Sequence, residues 1–169
     1  MNPNYNKVID TVESLTDEMI DLQKTLTAIP ALGPENGGDG EWDKAMFVKE
    51  VMQEVGIREI IEVHAPDDRA KNGVRPNLIG LIPGKNKEKT IWIMAHTDIV
   101  PPGDLSKWDS DPYKVVEKEG ILYGRGVEDN QQGLVSSLFA VKAIIKENIE
   151  PEYNIGLVYV ADEETGSHY

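Results

Sequence analysis

The sequence predicts an α/β domain whose sheet is mixed. Two apolar runs, at residues 91–98 and 153–161, have the length and β-rich composition of buried strands, and a helical pattern at residues 134–149 lies between them. A shorter strand at residues 77–82 precedes the first run across a charged turn, which is typical of a hairpin. We therefore expect both parallel and antiparallel pairs in one sheet.

Three segments place apolar residues at helical spacing. Residues 8–28 predict one or two amphipathic helices, residues 41–55 predict another, and residues 134–149 predict the last. Gly56 follows the second segment, where a glycine commonly ends a helix. Packing in the core is the expected role of all three segments.

The remaining strands are short. Residues 57–64 predict a strand directly after a helix, and the apolar residues on either side of residues 117–120 indicate a small hairpin. No internal repeat or interdomain linker is present in the sequence, so residues 1–169 are expected to form one domain.

The composition excludes several classes of function. The chain has 30 acidic and 17 basic residues and a net charge of -13, which would repel the phosphates of a nucleic acid. It has no cysteine, so disulfides and thiolate zinc sites are excluded. No apolar run is long enough to span a bilayer, and the first residues do not resemble a secretion signal. We expect a soluble cytoplasmic protein without a membrane or nucleic-acid partner.

Residues that can bind a metal follow the two apolar strands. His96 and Asp98 end the first strand, and Glu163 and Glu164 follow the second. A strand, a helix and a neighbouring parallel strand place both strand ends at one edge of the sheet, and Asp129 precedes the connecting helix at that edge. Residues two apart in extended backbone point the same way, so the Asp98 carboxylate can contact the ring of His96.

Several carboxylates at one edge of a sheet require a compensating charge. Like charges in contact raise one another's pKa values and destabilise the fold unless a cation is present. Histidine and oxygen ligands suit zinc, with manganese or cobalt as alternatives. Simpler interpretations stay open: His96 and Asp98 as a polar pair in a turn, Asp129 as a helix cap, and the acidic residues as a solvated cluster.

The adjacent residues Glu163 and Glu164 indicate hydrolysis. Successive side chains diverge in extended backbone, so one can bind a metal while the other faces water. A metal lowers the pKa of water from 15.7 toward about 7 and polarises a carbonyl. A glutamate that moves protons adds roughly 10²- to 10⁴-fold in rate.

Residues 94–98, 122–130 and 162–167 together resemble the motifs of a known enzyme family in order and spacing. This is the co-catalytic di-zinc peptidase and deacylase family, which includes acetylornithine deacetylase, succinyl-diaminopimelate desuccinylase, aminoacylase and glutamate carboxypeptidase. The resemblance implies a three-layer αβα sandwich with a mixed, mostly parallel sheet. It also implies two zinc ions and cleavage of an amide bond in an N-acyl amino acid or a small peptide.

The resemblance further implies a role for each site residue. His96 would bind one zinc ion, Glu164 would bind the other, and Asp129 would bridge the two. Asp98 would orient His96, and Glu163 would be the general base.

Two local features of the family concern the segment after Asp129. Members often have a cis peptide bond after the bridging aspartate, which here would be Asp129–Asn130. Gln132 stands where many members have lysine. We expect this difference to alter local pairing and to leave the ligands intact.

Length is the larger departure from the family. Its members continue with a further acidic ligand, a histidine ligand, more strands and usually a lid domain that mediates dimerisation. The resemblance therefore identifies residues 1–169 as an amino-terminal portion of the catalytic domain, incomplete at its C-terminal side and weakly active or inactive alone.

Two other hypotheses remain. A non-catalytic α/β module could associate with a partner, or with itself as a homo-oligomer, through an unpaired sheet edge. A phosphate-ester hydrolase is less favoured, because Arg125 is an isolated basic residue in the acidic motifs.

Overall fold

The computed structural model describes residues 3–169. Within that range the chain forms four α-helices and six β-strands. The helices are α1 (Pro3–Ser14), α2 (Thr16–Thr27), α3 (Trp42–Val55) and α4 (Gln132–Lys146). The strands are β1 (Glu59–Pro66), β2 (Val74–Ile82), β3 (Asn86–His96), β4 (Val116–Lys118), β5 (Ile121–Tyr123) and β6 (Tyr153–Val160). The predicted α/β class is confirmed.

The main sheet has the strand order β1-β2-β6-β3. β2 pairs antiparallel with both β1 and β6, while β3 and β6 are parallel. β4 and β5 form the separate hairpin that the sequence predicts. The sheet is mixed as expected, but parallel pairs do not predominate among the described strands, since β6 joins β2 in the antiparallel sense.

The predicted hairpin between residues 77–82 and the strand that follows them is wrong. β6 lies between β2 and β3, with Leu157 opposite Gly80 on one side and Ile93 on the other. Leu157 is fully buried. A strand this apolar is most stable at the centre of a sheet, where both of its edges are paired.

One face of the main sheet carries the helical layer and the hydrophobic core. α3 and α4 pack directly on the strands, and α1 and α2 contact α4. Residues 8–28 form two helices as the sequence allowed, and buried Leu15 lies between them. α3 ends at Val55, and the next residue, Gly56, has a left-handed φ of 101°, as is common where a glycine follows a helix. The core is one cluster that joins α2, α3 and α4 to β2, β3 and β6.

The opposite face of the sheet is not covered by any helix of residues 3–169. It presents Ile61 and Val63 of β1, Ile79 and Leu81 of β2, Trp92 and Met94 of β3, and Val158 of β6, which the pairing register places on one side. We call this surface the open face. Trp92 is 56% and Met94 68% exposed. The Trp92 ring lies where a Cβ at Gly156 would be, so the glycine permits this close approach.

The described residues form two layers of the expected three-layer sandwich, the sheet and one layer of helices. The open face corrects one expectation: β3 is an edge strand with exposed side chains at residues 91–94, and it is not buried on both faces. Finally, every helix within residues 3–169 is too short or too polar to cross a lipid bilayer.

Candidate metal centre

The predicted site residues lie where β3 and β6 end. His96 is the last residue of β3 and is paired with Val160 of β6, so the chain segments after both strands begin side by side. Glu163 and Glu164 lie in a short helical turn, Glu163–Thr165. Asp129 lies in an irregular turn, Val127–Gln131, that leads into α4. α4 itself begins at Gln132, so Asp129 is not its N-cap.

His96 contacts a carboxylate through the ring nitrogen that faces the site. Its Nε2 is 2.9 Å from Oδ1 of Asp129 and 3.8 Å from Oε2 of Glu163. The imidazole is buried, whereas the Asp129 side chain is 66% and the Glu163 side chain 51% exposed. The site is therefore open on the carboxylate side and closed behind the histidine.

The second ring nitrogen of His96 is held by Asp98, in a way that the sequence predicted only in part. Nδ1 lies 3.0 Å from the backbone carbonyl oxygen of Asp98 and 3.4 Å from its carboxylate Oδ1. The backbone oxygen is thus the nearer acceptor. Either contact fixes the ring so that Nε2 is the nitrogen available to a metal.

The Asp98 carboxylate has a further role that the sequence did not reveal. Its two oxygens accept hydrogen bonds from the backbone N–H groups of Glu163, at 3.2 Å, and Glu164, at 2.9 Å. Asp98 therefore connects the end of β3 to the turn Glu163–Thr165 after β6, which we call the acidic turn. One residue orients both the imidazole and the two glutamates.

The donor set fits a divalent metal. His96, Asp129 and Glu164 each offer a ligand atom, and these atoms lie within 4.8 Å of one another. One imidazole nitrogen and two carboxylate oxygens, with the other imidazole nitrogen held by Asp98, suit zinc or a similar divalent ion. These are the three residues that the sequence predicts as ligands. The peptide bond Asp129–Asn130 is cis, a feature that the sequence alone did not settle.

Electrostatics at the site are those of a cluster with excess negative charge. Burial opposes a charge on His96, but Asp98 and Asp129 outweigh it and raise the pKa of His96 to about 9. Burial also acts to raise the pKa of Asp98, yet His96 and the Glu164 N–H group lower it overall. For Glu164, burial and the Asp129 carboxylate both raise the pKa. A bound cation would relieve this repulsion.

Lys44 is a buried charge near the site that sequence reasoning missed. It is 1% exposed, and its Nζ has no hydrogen-bond partner among the described residues. Burial lowers the pKa of Lys44 to about 8, against the attraction of Asp98 and Glu41. A signal was present in the sequence: Lys44 follows the helical spacing of the buried residues of α3, which are Val48, Met52 and Val55.

Comparisons with known proteins find metallohydrolases among the proteins similar to this chain. The sequence profile of peptidase family M20/M25/M40 matches residues 92–169. An uncharacterized metallohydrolase of Methanococcus maripaludis is 42% identical over 165 residues, which are 94% of this chain and 39% of that protein. Succinyl-diaminopimelate desuccinylase of Coxiella burnetii is 42% identical over 70 residues, which are 41% of this chain and 19% of that enzyme.

A solved structure extends the agreement to the fold. The di-peptidase Dug1p of Saccharomyces cerevisiae superposes with a TM-score of 0.83 and 26% identity over 96% of this chain and 36% of its own. The chain thus spans about two fifths or less of the length of these relatives. The matched motifs, the shared fold and the cluster of His96, Asp129 and Glu164 agree with one another: the chain is similar to peptidase family M20/M25/M40, whose profile matches residues 92–169.

Proposed function

We propose that this chain is part of a metal-dependent hydrolase that cleaves an amide bond in an N-acyl amino acid or a small peptide. The observation that carries the proposal is the convergence of His96, Asp129 and Glu164 within 4.8 Å, with Glu163 beside them. We further propose zinc as the metal, with two ions in the complete enzyme, and cobalt or manganese as alternatives.

In the proposed mechanism, His96, Asp129 and Glu164 hold the metal, and Asp98 orients His96. When bound, a divalent metal supplies a Lewis acid that polarises the substrate carbonyl and lowers the pKa of water. Glu163 removes a proton from the attacking water and returns it to the leaving nitrogen. Its side chain suits this role because it is half exposed and lies 3.8 Å from the metal-facing nitrogen of His96.

The relatives support two substrate groups. One is named for the removal of succinyl from an amino acid derivative, and the structural neighbour is a di-peptidase. Both reactions break an amide bond, so we propose the bond and leave the acyl or peptide group open. We also propose that residues 1–169 are an amino-terminal portion of the catalytic domain and are weakly active or inactive alone. We propose further that the protein is cytoplasmic.

Zinc titration by calorimetry tests this proposal. We expect the chain to bind zinc, and Asp129→Ala and Glu164→Ala each to weaken binding about tenfold or more, because each removes one ligand atom. Glu128→Ala is the matched control, since Glu128 is an exposed carboxylate next to Asp129 that lies outside the cluster. An absence of zinc binding, or equal losses in all three variants, would contradict the proposal.

The open face favours a second candidate function, association without catalysis. Trp92 and Met94 on this face are more than half exposed, and β3 is an unpaired edge among the described strands. Light scattering with and without zinc separates the two functions. A stable oligomer that neither binds zinc nor responds to it would support the association module.

A further inference from the structure

A buried arginine lies behind the acidic turn of the metal centre. Arg75, at the start of β2, is fully buried and is bound by Glu41, which precedes α3 and is also fully buried. Arg75 donates hydrogen bonds to Glu41 from Nε, at 2.7 Å, and from Nη2. Its remaining N–H groups face three further carboxylates: Glu35, Asp67 and Asp162.

Asp162 connects this arginine to the site. Its carboxylate is buried, and Oδ1 lies 3.7 Å from Nη2 of Arg75. The same carboxylate accepts hydrogen bonds from the hydroxyl of Thr165 and, at 2.7 Å, from the backbone N–H of His168. Its backbone carbonyl accepts the N–H of Ser167 at 2.7 Å. Asp162 thus stabilises the turn that follows it through hydrogen bonds to three of the next six residues.

The backbone at Asp162 has an uncommon conformation. Its φ of 63° lies in the left-handed region, which is uncommon for residues with a Cβ and which aspartate adopts when its side chain makes local hydrogen bonds, as here. Glu163 and Glu164 follow immediately, so the direction of both side chains depends on that conformation. The N–H groups of these two residues are held by Asp98 from the other side.

The acidic turn is therefore fixed at two points, by Asp98 on the β3 side and by Arg75 through Asp162 on the β2 side. We propose that Arg75 is a positioning residue of the metal centre, which acts through Asp162 to hold Glu163 and Glu164 in the orientation that brings Glu164 to His96 and Asp129. The inference rests on the proposed metal-dependent function. Arg75 itself contacts none of the three ligands.

A purely structural role for Arg75 makes a different prediction. A buried ion pair with Glu41 stabilises or destabilises the whole fold, and its loss would leave the metal affinity of the folded chain unchanged. A positioning residue instead changes metal affinity, and the loss of such indirect support typically costs 10- to 100-fold.

The structure offers matched pairs of variants. Arg75→Lys keeps the positive charge but has no planar fork to contact Glu41 and Asp162 together. Its control is Arg69→Lys, because Arg69 contacts Asp67 and Glu35 but is not paired with Asp162. Asp162→Asn removes the charge that faces Nη2 of Arg75. Its control is Asp67→Asn, since Asp67 is a buried carboxylate that lies 3.5 Å from the other terminal nitrogen, Nη1.

Zinc affinity by calorimetry is the first measurement. We expect Arg75→Lys and Asp162→Asn each to lose at least tenfold in affinity, and the two control variants to stay within about threefold of the wild type. The double variant Arg75→Lys/Asp162→Asn should lose no more than Asp162→Asn alone, because the two residues act in series. Additive losses, or unchanged affinity with a lowered melting temperature, would overturn the inference.

Amide hydrogen exchange provides a second measurement that needs no metal. In the metal-free chain, the Glu163 and Glu164 amides should exchange at least tenfold faster in Asp162→Asn and Arg75→Lys than in the control variants. If either test variant does not fold, the other still decides the question. Wild-type chain that fails to bind zinc would refute the proposed function and this inference with it, whereas zinc binding that is equal in test and control variants would refute the inference alone.

Discussion

The raised pKa of His96 leads to a quantitative prediction for zinc binding. Zinc requires the lone pair on Nε2, which lies 2.9 Å from Oδ1 of Asp129. A raised pKa means that a proton must leave this imidazole before zinc can bind. With a pKa of about 9, the imidazole is neutral in only about 1 in 100 molecules at pH 7. Binding should therefore release about one proton for each zinc ion.

The expected size of the effect separates this environment from an ordinary one. Between about pH 6 and pH 8, the neutral fraction of a histidine with a pKa of about 9 rises about 100-fold. For a histidine with the usual pKa of about 6.5, the neutral fraction rises only about 4-fold. The apparent affinity for zinc should rise by nearly the same factor. Burial alone would have lowered the pKa, so a steep rise would show that the carboxylates of Asp98 and Asp129 prevail.

Calorimetry in pairs of buffers with different ionisation enthalpies measures both the affinity and the protons released. His64→Gln is the matched control, because His64 lies on β1 beside Glu62 and outside the cluster. It should leave the pH dependence unchanged. An affinity that changes about 4-fold or less over this range, or a release well below half a proton at pH 7, would refute the reasoning.

Three further predictions concern stability and association. In the metal-free chain, the raised pKa of His96 contributes stability that is complete below about pH 6.5 and is lost as the pH rises through about 9. The free energy of unfolding, measured by urea titration, should therefore fall from about pH 6.5 to about pH 8. His96→Gln should make this pH dependence flatter. Leu157→Ala, at a fully buried position in the central strand, should cost about 2–5 kcal/mol of unfolding free energy by urea titration, and a loss below about 1 kcal/mol would mean that β6 is not central. Met94→Glu should change the free energy of unfolding by no more than about 0.5 kcal/mol, because Met94 is exposed. The same variant should reduce concentration-dependent association measured by light scattering. Unchanged association would exclude the open face as the contact surface.

The convergence of the proposed metal ligands could be predicted from the sequence because it follows from the positions of strand ends. His96 and Glu164 each follow an apolar run, and parallel strands bring such ends together whatever lies between them. The position of Asp129 before a helical pattern was enough to add it to the same edge. These inferences needed only local patterns and one rule of topology.

The errors arose where distant segments compete for the same neighbour. Residues 77–82 and β3 are close in sequence, yet β6 lies between them, with Leu157 fully buried. The local sequence pattern does not specify which strands are neighbours in the sheet. Lys44 and Arg75 show the same limit: charged side chains are seldom fully buried, and only the fold reveals the carboxylates near these two.

The hydrogen bonds of Asp98 bear on the order of events during folding. Asp98 accepts hydrogen bonds from Glu163 and Glu164, which follow it by 65 and 66 positions in the sequence. His96 contacts Asp129, which follows it by 33 positions. Contacts between such distant segments require closure of a long loop, which costs conformational entropy. They should therefore form later during folding than the local contacts within the helices. The acidic turn should therefore come into contact with His96 only after β6 has paired with β3. Formation of the candidate metal centre would then indicate that the sheet is complete.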